Sequence, residues 1–185
     1  MADNGCKQVD RPAAKKNGGQ TPPDKPLGPN EHPELTFTTN CGSFTVRLDP
    51  KLAPKTGASL VQLAKNGFYD DTIFHRIVPG FVIQGGDPTQ SGSGGPGYST
   101  VDPPPADARY TKGVVAMAKT GAEPAGTSGS QFFIVTPADA QLPPDYAIVG
   151  KVVDGLDVVE LIGQLGDASQ QPTQNVVISK VTVKE

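Results

Sequence analysis

The chain has 185 residues, a formal net charge of -3, no tryptophan, 22 glycines and 19 prolines. That length suits one domain with a real core plus an appendage, and the acidic balance provides no basic field for nucleic acid or an anionic membrane surface. So much glycine and proline favours short elements joined by turns over a helical bundle.

Residues 1–33 are rich in Pro, Lys, Gly, Asn and Asp and nearly free of large apolar side chains. Such a segment buries too little surface to offset the entropy of ordering, so a flexible tail or tether is expected there, with the folded domain over 34–185. Alternation begins with Leu35, Phe37 and Thr39 and resumes with Phe44, Val46 and Leu48 after the turn residues Asn40 to Ser43, which predicts a β-hairpin. Pro54, the stripe Leu60, Val61, Leu63 and Ala64, and the stop Asn66-Gly67 predict a helix over 54–66. Strands follow at Thr72 to Val78 and Phe81 to Gln84, then a long Gly/Pro/Ser loop reaches Ala108. Val114 to Ala118, Gln131 to Thr136 and Ala147 to Val153 read as three more strands. A second helical stripe, Leu156, Val159, Ile162 and Leu165, precedes a last strand through Val177, Val181 and Val183. Two helices against seven or more strands predict a mainly β fold, a closed antiparallel barrel. No apolar run is long enough to span a bilayer.

Three motifs offer chemistry that their context does not support. Gly92 to Gly97 matches G-x-G-x-x-G, but Pro96 and the proline-rich stretch after it cannot open the helix that a dinucleotide site requires. Gly126-Thr127-Ser128-Gly129-Ser130 lacks the G-x-S-x-G spacing of a nucleophile elbow and reads more simply as a tight turn. Cys6 and Cys41 have no partners at metal-ligand spacing, so no metal site and no cofactor is expected.

Arg76 stands apart, because it lies between Phe74, Ile77 and Val78 in an apolar strand. A buried unpaired guanidinium is very costly, so its side chain faces either solvent or a pocket with acceptors, and periodicity leaves both readings open. Gln84 and Gln131 are set among apolar neighbours in the same way, and three such residues from separate strands suit convergence on one face. His75, by strict alternation, points to the face opposite Arg76 and reads as structural.

The run Phe74-His75-Arg76-Ile77-Val78-Pro79-Gly80-Phe81-Val82-Ile83-Gln84-Gly85-Gly86-Asp87 closely resembles the cyclophilin signature. Gly129-Ser130-Gln131-Phe132-Phe133-Ile134, Met117-Ala118 and Gly92 to Gly95 resemble the same family in order and spacing. The resemblance implies an eight-stranded closed antiparallel barrel capped by two helices, and a peptidyl-prolyl cis/trans isomerase that assists protein folding. It places Arg76 as the catalytic arginine and Phe81, Val82, Phe133 and Leu142 around the proline ring. Gln84, Ala118, Lys119, Thr120 and Gln131 take positions that hold the substrate backbone, and Gly92 takes a groove-edge position. Tyr146 stands where many members carry a pocket histidine, and Gln141 where they carry a tryptophan, which implies weak cyclosporin binding.

By the same resemblance the tail is similar to the tethers of bacterial cell-envelope cyclophilins, in which a signal or anchor precedes a Lys/Pro-rich linker. An extracytoplasmic location is the expectation, with a Cys6–Cys41 bridge in an oxidising compartment; the alternative is a cytoplasmic protein with two free thiols. The expected partners are proline-containing peptides and unfolded or flexible protein segments, bound by a monomer. The rival reading is a barrel that holds proline-containing segments without turning them over.

Overall fold

In the computed structural model, which describes residues 4–185, the first alternating segments form the hairpin of β1 (Glu34–Thr39) and β2 (Gly42–Leu48). Leu35 faces Val46 and Phe37 faces Phe44 across it, and the two phenyl rings stack with centroids 4.9 Å apart. Helix α1 (Pro54–Lys65) starts at its proline but has no side-chain cap of its own. The cap arrives from a distant loop, where the Asp102 carboxylate accepts the Thr56 N–H at 2.7 Å.

The remaining strands are β3 (Thr72–Ile73), β4 (Arg76–Val78), β5 (Val82–Gly85), β6 (Thr100–Val101), β7 (Val114–Met117), β8 (Thr127–Ser128), β9 (Phe132–Val135), β10 (Ile148–Asp154) and β11 (Val177–Lys184), with helix α2 (Leu156–Gly163) before the last. The closed eight-stranded barrel needs correction. Nine strands form one curled antiparallel sheet in the order β3-β11-β1-β2-β10-β7-β9-β5-β4, and β6 with β8 forms a separate ribbon. The end strands β3 and β4 are joined by Phe74 and His75 alone, so the chain itself brings the ends of the sheet together. Phe74 turns fully into the core at this point, which breaks the expected Thr72 to Val78 strand in two.

Alternation sorts the side chains of the central strands. Ile77, Ile83, Val115, Met117, Phe132 and Ile134 point into the main core, where Phe132 contacts the rings of Phe37, Tyr69 and Phe74. Their neighbours Val82, Ala116, Phe133 and Val135 join Tyr110 and Ile148 in a second apolar cluster on the outer face. In β11 a register shift between Thr38 and Thr39 of its partner lets both Ile178 and Val181 reach the core.

Residues 4–33 do not form the loose tether that composition suggests. They run as an irregular strap across the domain, fixed by polar contacts in place of the apolar burial they lack. Cys6 is disulfide-bonded to Cys41, and Arg11 Nε donates to Gln90 at 2.6 Å. Lys15 Nζ donates to the carbonyls of Gly67, Phe68 and Asp70 at 3.1, 2.9 and 2.7 Å. The N–H groups of Gly18 and Gln20 bond to the carbonyls of Gly95 and Pro96, both at 3.0 Å. Among the described residues no helix is long and apolar enough to cross a membrane.

Candidate active site

The hydrogen-bonded register sets Arg76 opposite Gln84, and Gln84 opposite Phe133, so three adjacent strands present these residues on the outer face. Of the two readings left open for Arg76, the pocket with acceptors is the one realised. Its Nε donates to Gln170 Oε1 at 2.9 Å and its Nη1 to Gln84 Oε1 at 3.1 Å. Gln84 Nε2 then donates to Gln131 Oε1 at 3.1 Å, and Gln131 Nε2 donates to the carbonyls of Gly92 and Gly94, each at 2.9 Å. One polar chain thus ties the guanidinium to the glycine-rich loop and fixes its orientation.

Beside the guanidinium lies a cavity of about 200 Å³ lined by Arg76, Phe81, Val82, Gln84, Ala118, Lys119, Phe133, Leu142 and Tyr146. Its aromatic wall is closely packed. Phe133 and Tyr146 meet edge to face at 5.5 Å, and Tyr110 packs against both at 6.5 and 6.0 Å. Tyr110 Oη donates to the Tyr146 carbonyl at 2.6 Å and accepts from the Tyr146 N–H at 3.1 Å, so a buried residue sets where Tyr146 stands. Gln141, at the place of the family's tryptophan, is exposed with a left-handed backbone and does not line this cavity.

A second cavity of about 540 Å³ adjoins the first, sharing Gln84, Ala118 and Lys119 with it. Gly92, Thr120 and Gln131 line this one, so every site residue read from the sequence borders one cavity or the other. Lys119 divides the two. Its side chain is only 2% exposed, paired with Asp145 and directed to the carbonyls of Thr120 and Glu123, with Nζ 5.6 Å from the Tyr146 ring centroid. With its charge so occupied and its side chain buried, Lys119 offers the groove its main chain.

The glycine-rich loop has its own organiser. Asp87, fully buried, accepts from Thr89 N and Oγ1 and from the N–H groups of Gly92 and Gly94 at 2.6 and 3.1 Å. Burial opposes its ionisation, but the hydrogen bonds from Thr89, Gly94 and Gly92 prevail and hold its carboxyl below the usual range. A Cβ on Gly94 would sit 2.1 Å from the Asp87 carboxylate, which explains glycine there. The match to a dinucleotide fingerprint is therefore a loop wound around an internal anion.

His75 departs from strict alternation because the strand breaks at Phe74–His75. Its ring lies against Gly92, and both ring nitrogens are shut away from solvent. Burial lowers its pKa and the Arg76 charge adds to this, against the opposing pull of Asp87 and the Gln131 side chain. Gln170 and Tyr110 escaped the sequence reading. Gln170 sits in a polar run with no periodicity to mark it, whereas Tyr110 follows Arg109 just past the long loop, where a large aromatic was a legible but unused hint.

The outer face of the curled sheet thus holds an arginine beside an aromatic-walled cavity and a polar groove. Residues 34–183 match the family described as cyclophilin type peptidyl-prolyl cis-trans isomerase, and the chain belongs to that family. It is 38% identical over 167 residues to peptidyl-prolyl cis-trans isomerase A of Mycobacterium tuberculosis, covering 80% of this chain and 90% of that protein. An isomerase-like 2 protein of Cryptococcus neoformans is also 38% identical over 156 residues, but the match spans 80% of this chain and only 27% of that longer protein. Among solved structures, a cyclophilin type isomerase of Cryptosporidium parvum, determined in the presence of the dipeptide Ala-Pro, aligns with TM-score 0.74 and 32% identity over 82% of this chain and 99% of its own.

Proposed function

We propose that this chain accelerates rotation about X-Pro bonds in flexible protein segments, with Arg76 as the catalytic residue. The observation that carries the reading is the guanidinium held between Gln170 and Gln84 at the rim of an aromatic-walled cavity. Amide resonance sets a barrier of about 18–20 kcal/mol to that rotation. As the bond twists, resonance is lost and the prolyl nitrogen becomes pyramidal with a localised lone pair. A guanidinium N–H aimed at that nitrogen stabilises the twisted state over the planar one, which is the differential binding that lowers a barrier. No bond is made or broken.

A charge-assisted hydrogen bond supplies about 1.5–3 kcal/mol, or one to two powers of ten in rate. The rest comes from holding one side of the bond still while the other turns. Phe81, Phe133 and Leu142 grip the prolyl ring, while Gln84, Gln131 and the main chain of Ala118 to Thr120 hold the flanking backbone. Cyclosporin binding is weak in this reading, because Gln141 offers no indole donor beside Leu142. The Cys6–Cys41 disulfide supports an extracytoplasmic setting; alkylable thiols in freshly lysed cells without reductant would count against it.

The test is exchange NMR on a short X-Pro peptide with unmodified protein and Arg76→Ala at matched concentration. Accelerated exchange that falls by about 10- to 100-fold in the variant is the expected result. Peptide binding with no acceleration by either protein would leave a proline-recognition module, and full acceleration by the variant would overturn the role of Arg76.

A further inference from the structure

The glycine-rich loop is held from two sides. On its inner side it winds around Asp87 and presents the carbonyls of Gly92 and Gly94 to Gln131, the head of the chain of side chains that ends on Arg76. On its outer side runs the N-terminal strap. The Lys15 N–H donates to the Pro88 carbonyl at 2.7 Å, and Gly18 and Gln20 donate to Gly95 and Pro96 farther along. Between these bonds stands Gln90, buried and with a left-handed backbone at φ 63°. Its side-chain amide is directed to the strap: Oε1 accepts from Arg11 Nε at 2.6 Å and Nε2 donates to the Pro12 carbonyl at 2.9 Å. Arg11 is delivered there by a fixed point on either side, the disulfide at Cys6 and Lys15 on its three carbonyls.

A glycine would adopt the backbone of Gln90 at lower cost. What glutamine adds at this position is the pair of bonds to the strap. Two residues on, Gly92 gives its N–H to Asp87 and its carbonyl to Gln131 Nε2. A displacement at Gln90 therefore reaches Gln131, then Gln84 and Arg76 Nη1, through one unbroken set of hydrogen bonds. Neither Arg11 nor Gln90 lines either cavity, so any influence they have on the reaction passes through this network and not through contact with the peptide. We propose that Arg11 and Gln90 are positioning residues for the isomerase reaction, clamping the outer side of the loop so that the Arg76 guanidinium keeps one direction while the X-Pro bond turns. This rests on the isomerase reading above and adds to it a control on the catalytic arginine by a segment outside the curled sheet.

The experiment uses the whole 185-residue chain. Gln90→Gly keeps the left-handed backbone while removing both bonds to the strap, and Arg11→Ala removes one of them. For each protein, kcat and KM for an X-Pro peptide are read beside the urea midpoint and, without peptide, the side-chain NMR signals of Gln131 Nε2 and Arg76 Nε. Gln90→Gly is expected to lower kcat about 3- to 10-fold, the scale of one or two lost hydrogen bonds, with KM changed by less than about twofold. The Gln131 and Arg76 signals shift or broaden in the same variant. Arg11→Ala has the same effects at smaller size, and Arg11→Lys, which keeps a charged donor, restores part of the loss. In an Arg76→Ala background, Gln90→Gly is expected to lower the remaining rate by less than about twofold, because its effect passes through the guanidinium. An unchanged kcat in Gln90→Gly, or a fall as large without the Arg76 guanidinium as with it, would overturn the inference. So would a lower urea midpoint with kcat and both signals unmoved, which would reduce the pair to a structural tie. Absence of acceleration by the unmodified protein would sink the isomerase reading instead, and the signals, read on the free protein, would still decide whether strap and arginine are coupled.

Discussion

The two faces of strands β5, β7 and β9 are written in the same residues, yet they do opposite work. Inward positions such as Ile83, Met117, Phe132 and Ile134 are almost wholly buried, and around Phe132 the rings of Phe37, Tyr69 and Phe74 fill the space. Outward positions carry Val82, Gln84 and Phe133, which with Ala118 just past β7 border the cavity next to Arg76. One period of two residues thus separates stability from recognition along a single strand. The outer face keeps an unfilled cavity because the strands beneath are already secured from within.

Neighbouring phenylalanines put that division to the test. Phe132→Ala is expected to cost about 3–5 kcal/mol of stability, seen as a lower urea midpoint, because the closed core cannot refill the space. Phe133→Ala, at the wall of a cavity open to solvent, is expected to cost less than Phe132→Ala, but it lowers kcat/KM for X-Pro peptides more than any inward substitution of equal stability cost. Equal midpoints and equal activity losses for the pair would erase the distinction between the faces. Gln170→Ala sharpens the outer side further. Removing the acceptor of Arg76 Nε is expected to lower kcat by about fivefold with the unfolding midpoint almost unchanged, consistent with a net hydrogen-bond contribution of about 1 kcal/mol. An unaltered kcat would mean that Gln84 alone positions the guanidinium.

The smallest effect concerns His75, on the boundary between the faces. Its folded pKa lies below the ordinary value near 6.5, so in the window beneath that value the unfolded chain binds a proton that the folded chain refuses. Stability is therefore expected to fall as pH drops through about 6.5 toward the folded pKa, and His75→Asn should flatten that part of the profile. A slope unchanged in the variant would assign the acid sensitivity elsewhere.

Most of the fold was legible because alternation and helical stripes are local signals. The hairpin at 34–48, helix α1 and the strands carrying Gln84 and Phe133 needed only neighbours in sequence to declare themselves. Arg76 was conspicuous as a charge in an apolar strand, although only the fold shows that Gln84 and Gln170 receive it. What escaped depends on contacts between distant segments. Asp102 caps a helix begun 48 residues earlier in the chain, at Pro54, and Tyr110 fixes Tyr146 through its hydroxyl. The contacts of the strap are invisible to composition for a physical reason. Composition counts apolar area, whereas this segment is held by main-chain bonds, three carbonyls around one lysine and a disulfide, none of which leaves a mark in hydropathy.

The strand order also carries a consequence for how the chain reaches this state. β1 lies between β2 and β11, pairing Leu35 with Val183 and Phe37 with Val181. β1 therefore waits for β11, and on the ribosome its outer edge stays unsatisfied until that strand has emerged. Such distant pairing slows folding, because a long loop must close before the contacts repay it. During that interval β1 offers open hydrogen-bonding groups to any other nascent chain, making this edge the point where assembly is most exposed to error.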